Sequence, residues 1–257
     1  MTRSLAAALL LFARVTPEHV DLCRRPIDIL LAGARDDGSF ETWIVGPADS
    51  PARRERMDWG LRYCWGTGSD HDVIAHFYHA LLVADPIRYA EAVERGAAML
   101  KRAQQTDGLW IATWYVGPAY ATGLALQVLQ AVEPDSETAA AAHAALCRTQ
   151  HEDGTWPRGR PIAMETALSM WALLSARDAE SHRAFDRAAE TLVRMQEPDG
   201  SWELSPWIRM PIGRATGHVG RVATYSSVTI TSAFCLRSLV AARARAAGSK
   251  GSYSWSY

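Results

Sequence analysis

With 257 residues, 48% of them hydrophobic and 21% charged, the chain has enough apolar material for one ordinary globular core. Its formal net charge of -1 and its scattered arginines lack the basic stripe that nucleic-acid binding requires, so that class is excluded. No apolar run approaches the roughly 20 residues of a membrane span, so no transmembrane helix is expected and only peripheral membrane contact stays open.

Taken in chain order, Arg3 to Ala13 reads as a buried inner helix rather than a secretion signal, because Arg14 closes a short apolar run and no small-x-small site follows. Cys23, Cys64, Cys147 and Cys235 lie far apart and three of them fall in apolar helical runs, which suits free thiols in a reducing cytoplasm. A cytoplasmic location, with membrane association open, is the expectation.

A repeat then organises the chain. Gln104 to Trp110 reads Q-Q-T-D-G-L-W, Gln150 to Trp156 reads Q-H-E-D-G-T-W, and Gln196 to Trp202 reads Q-E-P-D-G-S-W, with Gly108, Gly154 and Gly200 spaced 46 and 46 apart. A worn copy precedes them at Ala34 to Phe40, A-R-D-D-G-S-F, its Gly38 lying 70 before Gly108, so the first unit carries an insertion. A second echo agrees: Thr42 begins T-W-I-V-G-P-A and Thr113 begins T-W-Y-V-G-P-A.

Each unit predicts a helix on either side of its motif. Tyr89 to Gln104 and Phe185 to Gln196 carry apolar residues at helical spacing with charges between them, as outer helices with one wet face would. Asp-Gly ends each of these, since glycine accepts the left-handed conformation a helix C-terminus commonly needs. Tyr120 to Val132, Met164 to Ala176 and Ser227 to Ala242 are apolar nearly all round and read as inner helices. The predicted fold is all-α, an incomplete α6/α6-type toroid of about four to five helix pairs, one domain over 1–246 with a flexible tail at 247–257. Extra turns or a second copy in a homodimer would cover the open edge.

The Q-x-x-D-G-x-W motif, followed by a short aromatic loop and an inner helix, resembles the QW repeat of squalene-hopene and oxidosqualene cyclases and their class II terpene cyclase relatives. Gln104 to Leu129, Q-Q-T-D-G-L-W-I-A-T-W-Y-V-G-P-A-Y-A-T-G-L-A-L-Q-V-L, is the best-matching stretch, and the resemblance covers roughly residues 18 to 242. Trp110, Trp156 and Trp202 read as packing pieces between units, with Gln104, Gln150 and Gln196 tying down turn backbone.

Aligning the inner helices by their shared endings places Ile74 with Thr122 and Thr166, and Asp72 two positions before each threonine. The family's D-x-D-D motif is followed by threonine at that register, so Asp70-His71-Asp72-Val73-Ile74 matches it as D-x-D-V-I. The resemblance then implies that Asp72 is the proton donor, although Val73 replaces the last aspartate. An acid that protonates an alkene or epoxide must be neutral at rest and supported as it becomes an anion, which burial and nearby donors achieve. Asp70 so close by disfavours double ionisation, and His76, four residues after Asp72, stands where it could orient the acid. A plainer reading stays open, in which Asp70 caps the helix and Asp72 complements its dipole. So does a zinc site of Asp72, His76 and His79 on one helical face.

Ten tryptophans supply the other half of the expected chemistry. Trp59, Tyr63 and Trp65 precede the candidate acid and Phe77 follows it; Trp114, Tyr115 and Tyr120 precede the next inner helix; Trp171, Trp207 and Tyr225 complete the set. Aromatic faces attract a carbocation without quenching it, and they also simply pack toroids. Glu165, at an inner-helix start, reads as terminal base or polar anchor, with a cap the alternative. No D-D-x-x-D cluster is present to hold magnesium on a diphosphate, so protonation rather than ionisation is the expected start. The expectation is a protonation-initiated cyclase of a hydrophobic linear or epoxidised isoprenoid, needing no cofactor or metal. The alternatives are an accessory isoprenoid-binding toroid or a zinc-dependent prenyltransferase-like enzyme.

Overall fold

A computed structural model of the chain describes residues 20–43, 50–157 and 162–247. The expected first inner helix over Arg3 to Ala13 and the tail from residue 248 onward lie outside the described residues.

The two kinds of helix follow from the two kinds of sequence. Outer helices α1 (Val20–Ala32), α4 (Ala90–Ala103), α6 (Glu137–Thr149) and α8 (Ala179–Arg194) alternate a buried stripe with an exposed charged one. Inner helices α3 (His71–Ala84), α5 (Ala119–Val132), α7 (Ala163–Leu173) and α9 (Val228–Ala246) pack side by side in the order α3, α5, α7, α9. Every residue of α7 is buried, the polar Glu165, Thr166 and Ser169 among its otherwise apolar sequence included. The remaining helix, α2 (Pro51–Gly60), runs into a π-helical turn at Leu61–Trp65 and occupies the insertion of the first unit.

The motif residues explain why the units repeat. Trp110, Trp156 and Trp202 are buried, and each indole Nε1 donates to the carbonyl ten residues earlier, at Leu100 (2.8 Å), Leu146 (3.1 Å) and Leu192 (2.8 Å). Each tryptophan thus pins the end of its own outer helix. Gln104 Nε2 donates to Gly108 O and to Thr138 O of α6, both at 2.8 Å; Gln150 Nε2 donates likewise to Gly154 O (3.1 Å) and Ala184 O of α8 (2.8 Å). The glutamines therefore fasten one unit to the next.

Gly108 and Gly154 adopt φ of +94° and +90°, and a Cβ would stand 2.8 Å from Ala141 O and from Arg187 O on the following outer helix. Gly200 has φ +87° but only open space around it, with Gln196 Nε2 at 3.9 Å. Gly108→Ala is therefore expected to cost well over about 1 kcal/mol, and Gly200→Ala distinctly less. Thermal denaturation of the two variants checks this; equal losses would mean that helix approach contributes nothing beyond strain.

One element departs from the all-helical expectation. Strands β1 (Pro206–Ile212) and β2 (Arg221–Ser226) form an antiparallel hairpin between α8 and α9, with a short 3-10 turn at Arg214–Thr216. The hairpin does not stand alone, because β1 also bonds to the loop before α5: Val116 N donates to Trp207 O (3.0 Å) and Arg209 N to Trp114 O (2.9 Å). That loop is thereby held extended across the end of the ring where α3, α5 and α7 begin. Among the described residues no helix is long and apolar enough to cross a membrane.

Candidate active site

The register inferred for the inner helices has a physical basis. Thr122 Oγ1 accepts from Trp110 N (3.3 Å), Thr166 Oγ1 from Trp156 N (3.2 Å), and Ser232 Oγ from Trp202 N (3.3 Å). The hydroxyl at this position ties an inner helix to the motif before it. Ile74 fills the same position in the worn unit, so what its apolar side chain removes is a structural tie, not a proton donor.

Asp72, two residues earlier, is fully buried in the first turn of α3. Its Oδ2 accepts from the backbone N–H of Trp114 (2.7 Å) and its Oδ1 from Val73 N (3.0 Å). Burial pushes its pKa up to about 6, and the negative charge of Asp70 adds to this against the lowering effect of the Trp114, Val73 and Thr113 backbone donors. Below about pH 6 the group keeps its proton, and fixed donors already face the carboxylate that loss of that proton would create.

Asp70 takes the N-cap position but makes no side-chain cap bond, so the capping reading fails. Its carboxylate faces the site instead. Oδ2 accepts from Thr42 Oγ1 (2.9 Å) and from Trp114 Nε1 (2.7 Å), and Oδ1 pairs with Arg214 Nη2 at 2.8 Å. Trp114 thus binds both carboxyls, Asp72 through its backbone and Asp70 through its indole. Arg214 reaches Asp70 from the hairpin turn and lies over the Trp114 ring at 5.7 Å.

Two aromatic groups surround the pair. Trp43 stacks on Trp65 at 5.0 Å and meets Trp114 edge-on at 5.6 Å. Deeper, Tyr115 contacts Tyr120 (4.3 Å) and Trp207 (4.7 Å), Trp207 contacts Phe234 (5.0 Å), and Trp171 lies 6.3 Å from Tyr120. Burial and the charge of Asp72 push the Tyr115 phenol above its usual range, so it stays neutral. Glu165 is buried in the first turn of α7, accepts from Ala119 N–H, and has its pKa pushed up to about 7 by desolvation. It fits its place because Gly117 lacks a Cβ, which would stand 2.2 Å from Oε1.

The structure places several of the expected site residues away from the Asp70–Asp72 pair. Trp59 and Tyr63 are 59% and 48% exposed and, with Arg54 and Arg62, line a groove of about 480 Å³ on the outside of the α2 insertion. Tyr225 projects from β2 and is 55% exposed. Phe77 is fully buried but packs against Phe40 (5.2 Å) and Tyr78 (5.8 Å), on the side of α3 that faces the outer helices. His76 makes no hydrogen bond through Nδ1 and does not orient Asp72; its ring stands edge-on to Tyr120 at 6.0 Å. Among the described residues no group of three His, Cys, Asp or Glu side chains comes together as a metal site, so the Asp72–His76–His79 trio is not one.

Sequence reasoning missed Thr42, Trp43, Arg214 and Phe234. Thr42 and Trp43 were in view as the start of the echo T-W-I-V-G-P-A. Nothing in the sequence links Arg214, 144 positions from Asp70, to that residue.

Comparison with known proteins bears on the family and the fold. Residues 67–209 match the family model described as squalene-hopene cyclase C-terminal domain. An ent-copalyl diphosphate synthase from a Streptomyces species is 34% identical over 110 residues, 42% of this chain, and the match spans only 20% of that relative's length. Among solved structures, the type II terpene cyclase MstE from Scytonema with its product merosterolic acid A superposes with a TM-score of 0.73 at 20% identity, covering 94% of this chain and 72% of that one. The same cyclase with the substrate geranylgeranyl dihydroxybenzoate gives 0.66 at 21% identity, over 88% and 67%. These likenesses bear out the α/α toroid.

Proposed function

From a chain that belongs to the squalene-hopene cyclase C-terminal domain family, we propose an enzyme that protonates a polyprenyl chain at Asp72 and closes it into a ring system. The observation that carries the reading is the state of Asp72: a buried carboxyl with its pKa raised to about 6, facing two backbone donors. A resting acid of this kind delivers its proton to an alkene, and the donors take up the charge it leaves behind.

The surroundings divide the remaining work. Burial keeps the proton on Asp72, and Asp70, held by Arg214, Thr42 and Trp114, is the fixed negative neighbour that adds to this. Tyr115, Tyr120, Trp171, Trp207 and Phe234 offer ring faces to the migrating cation, each contact worth roughly 0.5–2 kcal/mol when desolvated. The reaction is a net isomerisation, since the proton gained at one end is lost at the other. A polyprenylated aromatic acid or a polyprenyl diphosphate is the substrate class, by likeness to MstE with geranylgeranyl dihydroxybenzoate and to the copalyl diphosphate synthase.

Running the reaction in D₂O with geranylgeranyl dihydroxybenzoate and, separately, geranylgeranyl diphosphate tests this. The expected product is cyclic, of the substrate's composition, with a single deuteron on the ring carbon first protonated. Release of diphosphate, or failure to cyclise either compound, would sink the proposal.

A further inference from the structure

Two polar side chains beside the aromatic wall have no part in the protonation. His76 and His79 lie on α3 with Nδ1 buried and without a hydrogen-bond partner. A rise of about 1.5 Å per residue places them about 6 and 10 Å beyond Asp72 along the helix, and spacings of four and seven keep all three on one face. The wall from acid to His76 is continuous: Tyr115 lies within the field of Asp72, touches Tyr120 at 4.3 Å, and Tyr120 meets the His76 ring at 6.0 Å, with His79 next along the same face of α3.

Burial lowers the pKa of His76 to about 4. It lowers that of His79 to about 3, with the neighbouring His76 ring and the Arg237 charge opposing a second positive charge there. Both rings are neutral at working pH, so each keeps a lone pair on one nitrogen. Glu165 is the competing base, but it sits in the first turn of α7, level with Asp72 and bonded to Ala119 N–H, at the end where the reaction begins.

On the cyclase reading above, we propose that the His76/His79 pair is the base that ends the reaction. A C–H bond next to the final cationic carbon breaks, its electron pair becomes the new C=C bond, and the proton passes to an imidazole nitrogen. The imidazolium returns its proton to solvent as product leaves, and Asp72 takes one back, so no atom is gained or lost. The distance along α3 from Asp72 to the pair then sets how many rings close before the proton is taken.

The test uses geranylgeranyl dihydroxybenzoate and geranylgeranyl diphosphate with His76→Asn, His79→Asn, the double variant and Glu165→Gln, each checked for native helical content by circular dichroism. His79→Gln replaces His79→Asn if the latter fails to fold. Substrate consumption by the histidine variants should stay within about tenfold of wild type, while the normal cyclic alkene gives way to alkene isomers and water-captured alcohols. An unchanged product composition in the double variant would overturn the proposal, as would redistribution in Glu165→Gln alone. A wild-type chain inert toward both compounds removes the cyclase reading and this proposal with it, whereas an active wild type with unaltered variant products removes only the latter.

Discussion

Asp72→Asn is expected to lower cyclisation by about a thousandfold, the middle of the range for loss of a general acid, while leaving the fold intact. The amide keeps the shape, but its single oxygen can accept only one of the Trp114 and Val73 N–H bonds, and it has no acidic proton to give. Stability supplies the control. Asp72 is held at about 6 in the folded chain, above its unfolded value near 3.8, so folding favours the protonated form. The resulting destabilisation is absent below about pH 4 and grows as pH rises through about 6, reaching on the order of 3 kcal/mol. Asp72→Asn removes it, so its effect on the thermal midpoint should be more favourable at pH 8 than at pH 4. Wild-type turnover should fall above pH 6 as the acid deprotonates. An effect on the thermal midpoint no more favourable at pH 8 than at pH 4, or turnover that survives in the variant, would contradict the assignment.

The second large effect is expected at Arg214. Its guanidinium pairs with an Asp70 carboxylate whose side chain is 5% exposed, while its own is 27% exposed. Arg214→Met leaves that carboxylate buried with two neutral donors only, Thr42 and Trp114. Breaking a buried pair by removing one member typically costs 3–5 kcal/mol; the partial exposure of Arg214 brings the expectation here to about 2 kcal/mol. Because Asp70 and Asp72 share Trp114, activity should fall by about tenfold or more as well. Adding Asp70→Asn to Arg214→Met should recover most of the stability and little of the activity. Chemical denaturation of the single and double variants measures the first, and product formation the second; additive stability losses would mean that the pair is not coupled.

How much of this was legible beforehand follows from which signals are periodic. The Q-x-x-D-G-x-W motif recurs, so the helix pairs, their wet and dry faces and the register of Ile74 with Thr122 and Thr166 could all be read by alignment. Helix ends moved by a few residues, as with Met164 to Ala176 shortening to Ala163–Leu173. The hairpin was invisible because P-W-I-R-M-P-I neither alternates cleanly nor avoids proline, and its β1 strand is stabilised by pairing with residues 114–116, far away in sequence. Within the site, Asp72 and Trp114 were found through the repeat, whereas Arg214 belongs to no repeat at all. Aromatic identity alone did not say which way a ring points. Trp59, Tyr63 and Tyr225 look outward and Phe77 packs toward the outer helices, while Trp171 and Trp207 meet Tyr120.

The shared grip of Trp114 on both carboxyls also bears on ancestry. Asp70 and Asp72 come from the worn first unit, Trp114 from the second, and Arg214 from the hairpin after the fourth motif. A duplicated array gains its tryptophan and glutamine ties as soon as two copies stand side by side. The carboxyl pair is assembled only where three dissimilar units meet, so differences between units, rather than their number, build the site that we propose as the proton donor.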